Sequence, residues 1–520
     1  MRHLENQSMV VQQRLIPLRS WLNSFQCIWG LKGAMFMKVS KLLDGLNIVR
    51  FDLEIDFEAN VKDINIDSRN LKKRAPFFAF KGAVVDSHDY ISDVYKSGIV
   101  PFVVAERKVE GVPTVIVEDG RKALANACRN FFEKPDEELQ KIAVTGTNGK
   151  TTVSYIIDSI LRAAGHKPVL VGTTGVVFGD TFVDLDSTTP STYEFFKVLK
   201  QAVDAGVDAL VMEVSSHALH QHRVNGVVFD VGIFTNLSGD HLDYNKTMEE
   251  YFEAKKILFT PEYSNVGVIG IDNDYGLQLF KEAEVDKISY GLSPKAEFTA
   301  EEIWFGLDGL KAKLVCPAGV IEIKSALVGL HNFQNIMSAA AGCIMLGIDN
   351  DHIKQGIEEL KNIPGRLEKF ERSNGAYIFV DYAHTDDALQ NVLEALGSFK
   401  EKKLITVFGC GGDRDKSKRP RMARAAELDS DVVIVTSDNP RTEDPLEIIE
   451  DILVGFENAD NVIITPDRSM AIRQAVTMAE EKDIVLIAGK GHEDYMILGT
   501  EKSHFDDREE VKKYLEVSEC

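Results

Sequence analysis

The chain has 520 residues, too many for one hydrophobic core, and 44% hydrophobic with 27% charged residues is ordinary globular composition. A formal net charge of −22 argues against a nucleic-acid or anionic-membrane surface, although helix N-termini and a few Arg and Lys can still hold an anionic ligand. Six cysteines without CxxC spacing give no thiolate zinc signal and fit a reducing cytosol, and no run approaches the ~18 apolar residues of a membrane span.

Residues 1–36 differ from the rest: weakly basic, with Glu5 as their only acid, ahead of Met37-Lys38-Val39-Ser40. They read as a disordered extension, as translation begun upstream of a natural start at Met37, or as a targeting peptide with a poor apolar region. Residues 37–135 read as a small mixed α/β domain. Short apolar runs at Phe77–Phe80, Ile99–Ala105 and Thr114–Val117 alternate with helical stretches such as Lys122–Phe132, and Pro135–Glu138 reads as a linker. From Lys141–Val144 a buried-strand pattern runs into glycines and then a helical period over Thr151–Ala164. Further strand-like runs at Pro168–Gly172, Ala209–Val214, Val228–Thr235 and Val266–Ile271 predict a mostly parallel, helix-covered sheet within residues 136–363. The pattern restarts near Ile363. Apolar runs at Tyr377–Val380, Leu404–Phe408, Val432–Thr436, Val462–Thr465 and Ile484–Ile487 predict a Rossmann-like domain over 364–520. The fold class is therefore α/β in three domains: a small mixed domain, a central P-loop ATPase-like parallel sheet, and a C-terminal Rossmann-like sheet.

Thr145-Gly146-Thr147-Asn148-Gly149-Lys150-Thr151-Thr152 follows a strand and opens a helix, as an ATP phosphate loop must. Lys150 would reach the β/γ-phosphates and Thr151 would meet Mg²⁺, but Val144 stands where the full pattern has its first glycine. Glu213 and His217 end one strand, and Asp240-His241-Leu242-Asp243 follows another. Such groups at neighbouring strand ends suit a divalent ion or are simply hydrogen-bonded. Four polar loops gather on the edge of the last sheet, at Asp381–His384, Gly409–Lys416, Asp438–Arg441 and Gly489–Glu493, the pattern of a ligand wall.

These motifs resemble the Mur ligase family, ATP-dependent enzymes that extend the peptide of the bacterial cell-wall precursor. The resemblance covers Met37 to Leu515 and rests on DSR at Asp67, TGTNGKTT, TTP at Thr188, EVSSHAL at Glu213, TNLSGDHLDY at Thr235, PGR at Pro364, DYAH at Asp381, GCGGDRDKSKRP at Gly409, DNPR at Asp438 and GKGHE at Gly489. The shortened phosphate loop is the family's own version. The resemblance implies that Gly146, Thr147, Asn148, Gly149, Lys150, Thr151 and Thr152 hold the ATP phosphates, and that Arg366 and Asp381 take the adenine and ribose side. It implies Mg²⁺ on Thr151, Glu213, His241 and Lys255, the last as a carbamate; without it Lys255 reads as a solvated helix lysine. The expected carboxylate substrate is UDP-MurNAc-L-Ala-D-Glu, on Ser68, Ala83, Val84, Val85, Ser187, Thr188, Thr189, Ser215, Gln221 and Arg223. The expected amine is meso-diaminopimelate, on Arg414, Asp438, Asn439, Pro440, Arg441, Gly489 and Glu493. Arg441 can bind its distal carboxylate bidentately, whereas lysine would present an ammonium. Asp386 replaces a family proline, Ser187 and Asn245 replace an Asn and a His, and Gly270–Asp274 lacks an opening Asn. A cytoplasmic monomer with no nucleic-acid partner and no membrane insertion is implied, and an L-lysine-adding variant or a folate polyglutamate ligase are the alternatives.

Overall fold

The computed structural model describes residues 35–82, 85–179, 181–185, 187–238 and 247–515. Ala83, Val84, His241 with the rest of the Asp240–Asp243 cluster, and the first 34 residues of the extension lie outside the described residues. The chain forms two compact units. Among the described residues no helix is long and apolar enough to cross a membrane.

The first unit takes residues 1–139, 169–208 and 221–226. Its four-stranded sheet runs in the order Ile48–Asp52, Thr114–Val117, Val103–Ala105, Phe77–Phe78, with the first pair antiparallel and the rest parallel. The helix Gly120–Phe131 is started by Asp119, whose carboxylate accepts from the N–H groups of Arg121 and Lys122. A second helix, Thr192–Asp204, opens on a capping box between Ser191 and Glu194. The two helices meet through Phe132 and Tyr193, edge to face at 5.3 Å, and through Lys200 and Glu133 at 2.9 Å. An antiparallel meander, Pro168–Gly172 to Gly175–Phe178 to Thr181–Val183, completes the unit.

The second unit takes 140–168, 209–220 and 227–520. Five parallel strands lie in the order Ala209–Glu213, Gln140–Thr145, Phe229–Phe234, Ser264–Gly270, Asp286–Tyr290. The helix Leu330–Met345 packs on this sheet through Gly342, where a Cβ would stand 2.6 Å from Ile233 Cδ1 and 3.1 Å from Ile142 Cδ1. The strands Thr299–Gly306, Gly309–Cys316 and Gly319–Ser325 form a separate antiparallel sheet. A six-stranded sheet follows, in the order Glu368–Glu371, Tyr377–Asp381, Ile484–Ala488, Leu404–Phe408, Val432–Val435, Val462–Ile464, parallel except for its first strand. Its central strands are mostly apolar because both faces are covered; Thr406, buried in Leu404–Phe408, is satisfied by Ser430 Oγ at 2.7 Å. Leu404, Phe408, Val433, Ile484 and Leu486 face the helices Asp386–Gly397, Lys418–Asp429 and Pro445–Leu453. Ile405, Val407, Ile434, Val485 and Ile487 face Arg468–Met478. The expected α/β class holds, with a parallel central sheet and a Rossmann-like sheet after it.

Candidate active site

Parallel strands gather loops at their C-terminal ends, and most of the polar residues expected at a site sit there. The strand Gln140–Thr145 turns at Gly146, φ +149°, and Gly149, φ +88°, into the helix Lys150–Ala163. Neither glycine has room for a side chain: a Cβ would stand 1.9 Å from Thr235 Oγ1 at Gly146 and 2.3 Å from Asn335 Oδ1 at Gly149. The loop is braced from the next strand end. Asn148 N–H donates to Asn236 Oδ1 at 3.0 Å, and Thr235 Oγ1 donates to Asn148 O at 2.6 Å. A backbone held open around glycine N–H groups at a helix N-terminus is the cradle a polyphosphate requires.

Lys150 Nζ folds back, donating to Gly146 O at 2.9 Å and Thr147 O at 2.8 Å. Thr151 Oγ1 donates to Glu213 Oε2 at 3.1 Å and accepts from Arg366 Nη2, also at 3.1 Å. Glu213 is wholly buried, and Thr152 is buried in the first helical turn. A hydroxyl and a carboxylate so close together are hard oxygen donors of the kind Mg²⁺ takes. Lys255, 2% exposed on the helix Met248–Lys256, donates to Gly146 O at 2.9 Å and lies 4.3 Å from the Tyr251 ring centroid. It is therefore at the phosphate loop rather than in solvent.

Arg366 stacks on Tyr382, 4.6 Å from the ring centroid, and its buried Nε has no hydrogen-bond partner. Asp381 accepts from the N–H groups of Leu367 at 2.7 Å and Ala383 at 2.8 Å. Burial pushes its carboxyl up from the ordinary range, and Arg366 and the two N–H groups restrain it. Asp387, which the sequence reading passed over, joins this wall to the phosphate loop: its Oδ2 accepts from Asn148 Nδ2 at 3.0 Å and Ser238 Oγ at 2.8 Å.

On the same sheet Asp438, Asn439, Gly489 and Glu493 come together. Asn439 Nδ2 donates to Glu493 Oε2 at 2.9 Å, and a Cβ on Gly489 would stand 2.9 Å from Asp438 Oδ2. Lys490, absent from the expected set, is fully buried among them, donating to Glu493 Oε2 at 3.1 Å and lying 3.8 Å from Asp438. Its position inside the GKGHE motif was the available signal. Burial pushes the Glu493 carboxyl up, and Lys490 opposes it. Arg441 adopts φ +53°, a conformation few non-glycine residues hold unless fixed from outside. Its N–H donates to Ile497 O at 3.1 Å and its carbonyl accepts from Gly499 N–H at 2.7 Å, so the hairpin Tyr495–Leu498 to Glu501–His504 pins it. Arg441 Nη1 donates to Gly412 O at 2.8 Å, and the carbonyl of Pro440 leaves no room for a Cβ on Gly412. Arg414 is exposed on that same loop.

In the first unit Ser187, Thr188, Thr189, Gln221 and Arg223 form one cluster. Arg223 Nη1 donates to Thr189 O at 2.7 Å and Nη2 to Gln221 Oε1 at 3.0 Å; Ser187 Oγ donates to Thr189 O at 2.8 Å, and Thr188 meets Thr173 at 3.1 Å. Ser68 and Val85 lie on two other loops of that unit. Ser215 belongs to the second unit, where its hydroxyl accepts from Ala218 N–H at 3.2 Å.

The chain matches family profiles described as the Mur ligase middle domain, over residues 144–343, and the Mur ligase glutamate ligase domain, over 365–491. It is 43% identical over 476 residues to the UDP-N-acetylmuramoyl-L-alanyl-D-glutamate--2,6-diaminopimelate ligase of Geobacter metallireducens, covering 87% of this chain and 93% of that protein. The Clostridium acetobutylicum protein of the same name is 41% identical over 92% of this chain and 99% of its own length. A solved structure of a ligase with that name superposes with a TM-score of 0.69 at 30% identity, covering 92% of this chain and 99% of the other.

Proposed function

The chain belongs to the Mur ligase family, and on that premise we propose that it is the ATP-dependent ligase joining meso-2,6-diaminopimelate to UDP-N-acetylmuramoyl-L-alanyl-D-glutamate in peptidoglycan precursor synthesis. The observation that carries this reading is the pairing, within one compact unit, of a glycine phosphate cradle with a second loop cluster that mixes buried carboxylates, Lys490 and Arg441. That second cluster has both signs of charge, as a zwitterionic amino-acid head demands.

The roles follow from the chemistry of each group. Gly146 to Thr152 would hold the triphosphate, with Lys150 exchanging its two loop carbonyls for phosphate oxygens. Thr151 and Glu213 fit Mg²⁺ by donor type, together with His241 and a carbamylated Lys255. ATP, when bound, supplies the γ-phosphoryl group that turns the D-glutamate γ-carboxylate into an acyl phosphate with release of ADP, and attack by the diaminopimelate amine then forms the amide and expels inorganic phosphate. Adding CO₂ to the Lys255 amine replaces a cation by a carboxylate, and the enclosure of that amine beside Gly146 supports the assignment. Arg366 and Asp381 would bound the adenine and ribose side. Ser68, the 83–85 loop, the Ser187–Arg223 cluster and Ser215 would receive the sugar nucleotide. Asp438, Asn439 and Glu493 would take the acceptor's ammonium and Arg414 and Arg441 its carboxylates, with Pro440 and Gly489 shaping the floor. Residues 37–135 would bind the UDP-sugar, 136–363 ATP and 364–520 the incoming amino acid. Scattered thiols, with Cys128, Cys316, Cys343 and Cys410 free and buried, support a cytoplasmic setting.

Steady-state phosphate release, omitting each substrate in turn, tests the proposal. Release that requires both the UDP-linked dipeptide and meso-diaminopimelate is expected. Equal release with L-lysine would overturn the acceptor assignment, release with a folate and glutamate would favour the folate ligase, and release indifferent to every acceptor would remove ligation altogether.

A further inference from the structure

Directly behind the acceptor loops lies a guanidinium with no role so far. Arg468 opens the helix Arg468–Met478, and its side chain is completely enclosed, as is that of its partner Asp507. Nε and Nη2 fork onto the two Asp507 oxygens at 2.7 Å each. Two further N–H groups go to backbone: Nη1 to Ser437 O at 3.2 Å and Nη2 to Ala488 O at 3.0 Å. Those carbonyls belong to the residues immediately before Asp438 and Gly489, where both acceptor loops begin. A Cβ on Gly489 would lie 2.9 Å from Asp438 Oδ2 and 3.8 Å from Arg468 Nη2, so the guanidinium stands one layer beneath the pocket floor.

A buried ion pair is poor ground for inferring stability, since apolar replacements of similar volume are often neutral or better. The distribution of donors indicates another purpose. Only a planar fork can hold a carboxylate with one edge and two divergent carbonyls with its other N–H groups; an ammonium has no such fixed geometry.

We propose that Arg468 is a positioning residue for the acceptor amino acid, its guanidinium oriented by Asp507 and fixing the spacing of Asp438 and Gly489. The inference rests on the acceptor site described under the proposed function. Its charge acts in the same direction. Burial pushes the Asp438 carboxyl up, and Lys490, then Arg468, outweigh that, so the group stays below its ordinary range. His384 and Glu493 also face Asp438: the first lowers it, while the charge of Asp438 raises Glu493.

The test uses the full chain and phosphate release. Wild type is first assayed with meso-diaminopimelate and with L-lysine, and later constants are read on whichever amine supports release. Failure of the diaminopimelate reading is thus visible before any variant is made. Arg468→Met should raise the KM for the acceptor by about tenfold or more, with the KM for ATP within about twofold of wild type. The acid limb of kcat/KM for the acceptor should move to higher pH in Arg468→Met, because Asp438 has lost a cation. In Arg468→Lys that limb should stay near wild type while the acceptor KM still rises. Should the Met variant not fold, Asp507→Asn keeps one oxygen for the fork and should raise the acceptor KM severalfold with the ATP KM unchanged. Acceptor and ATP constants that move together, or an acceptor KM that stays put while the melting temperature falls, would overturn the role. No release with any amine would remove it along with the ligase reading.

Discussion

A methyl group is the smallest change possible at Gly149, and the backbone there does not accept it. The φ of +88° costs an L-residue roughly 1–2 kcal/mol, and the added Cβ would stand 2.3 Å from Asn335 Oδ1. Gly149→Ala should therefore lower kcat/KM for ATP by at least about tenfold, with direct nucleotide binding weakened in parallel. Binding at wild-type strength would detach this glycine from the phosphate site. At Arg441 the side chain rather than the backbone is decisive. Arg441→Ala should raise the apparent KM for diaminopimelate about tenfold or more, and that for ATP far less, and Arg441→Lys should not restore it because a point charge cannot bind a carboxylate as a fork. An unchanged acceptor KM would remove Arg441 from the pocket. Gly146, Lys150, Thr151, Glu213 and Arg441 were legible because glycines and charges at strand ends form local patterns. Asn335, Asp387 and Lys490 were harder to find. The first two reach the phosphate loop from distant stretches of chain, and a lone Asn or Asp on a helix carries no periodic signal. Lys490 stood inside a motif already noted, and only its complete burial distinguishes it.

Elements buried on both faces were the easiest to read, because a covered parallel strand is a short apolar run between turn residues. Leu404–Phe408 matches its expected limits, and Ile484–Ala488 runs one residue past its own. The antiparallel pieces were passed over. Gly319–Ser325 alternates exposed and buried positions, a period-two signal diluted by its charges, and the 495–504 hairpin that pins Arg441 offers only the turn at Gly499. Two packing contacts carry predictions. Helix Asn350–Glu359 meets the phosphate-loop helix at Gly356, whose carbonyl accepts from Ser159 Oγ at 2.7 Å. A Cβ there would stand 2.4 Å from Ile160 Cα, which is backbone and cannot turn aside. Alanine gains up to about 1 kcal/mol of helix propensity over glycine, but parting the helices costs about 1–3 kcal/mol, so Gly356→Ala should lower the melting temperature. A variant more stable than wild type would show that the helices part freely. In the loop after the strand Val432–Val435, Glu443 joins buried Arg419, exposed Lys416 and the Asp413 N–H. Arg419 foremost, then Lys416, holds the carboxyl down to about 2 from an ordinary 4.5. The native state thus binds fewer protons than the unfolded chain between those values, and this stabilisation is complete above about 4.5 and lost as pH falls toward 2. Glu443→Gln should melt below wild type at neutral pH, and the gap should narrow from about pH 5 to about pH 3. A gap of constant size would assign the loss to packing.

At the scale of the whole chain, the two compact units differ in what they hold. Every residue expected at the phosphates and at diaminopimelate that lies among the described residues belongs to the second unit. A non-hydrolysable ATP analogue at about a hundred times its Kd should stabilise that unit by about 2.7 kcal/mol. Calorimetry should therefore show one transition moving upward with nucleotide and leaving a second, nucleotide-insensitive transition behind. A single transition moving as a whole would mean that the units unfold as one.

The first unit has a consequence for how such a chain can be inherited. It is assembled from three separate stretches, and its helix Thr192–Asp204, which packs on Phe132 and Glu133, arrives only after the phosphate-loop strand and helix have been laid down. A crossover between two related genes near codon 139 would couple one parent's sheet to the other's helix, with Tyr193 and Lys200 facing partners they had not been selected against. A unit interleaved in this way cannot be exchanged as a single cassette. It must change by substitution within one lineage, or by three coordinated replacements at once.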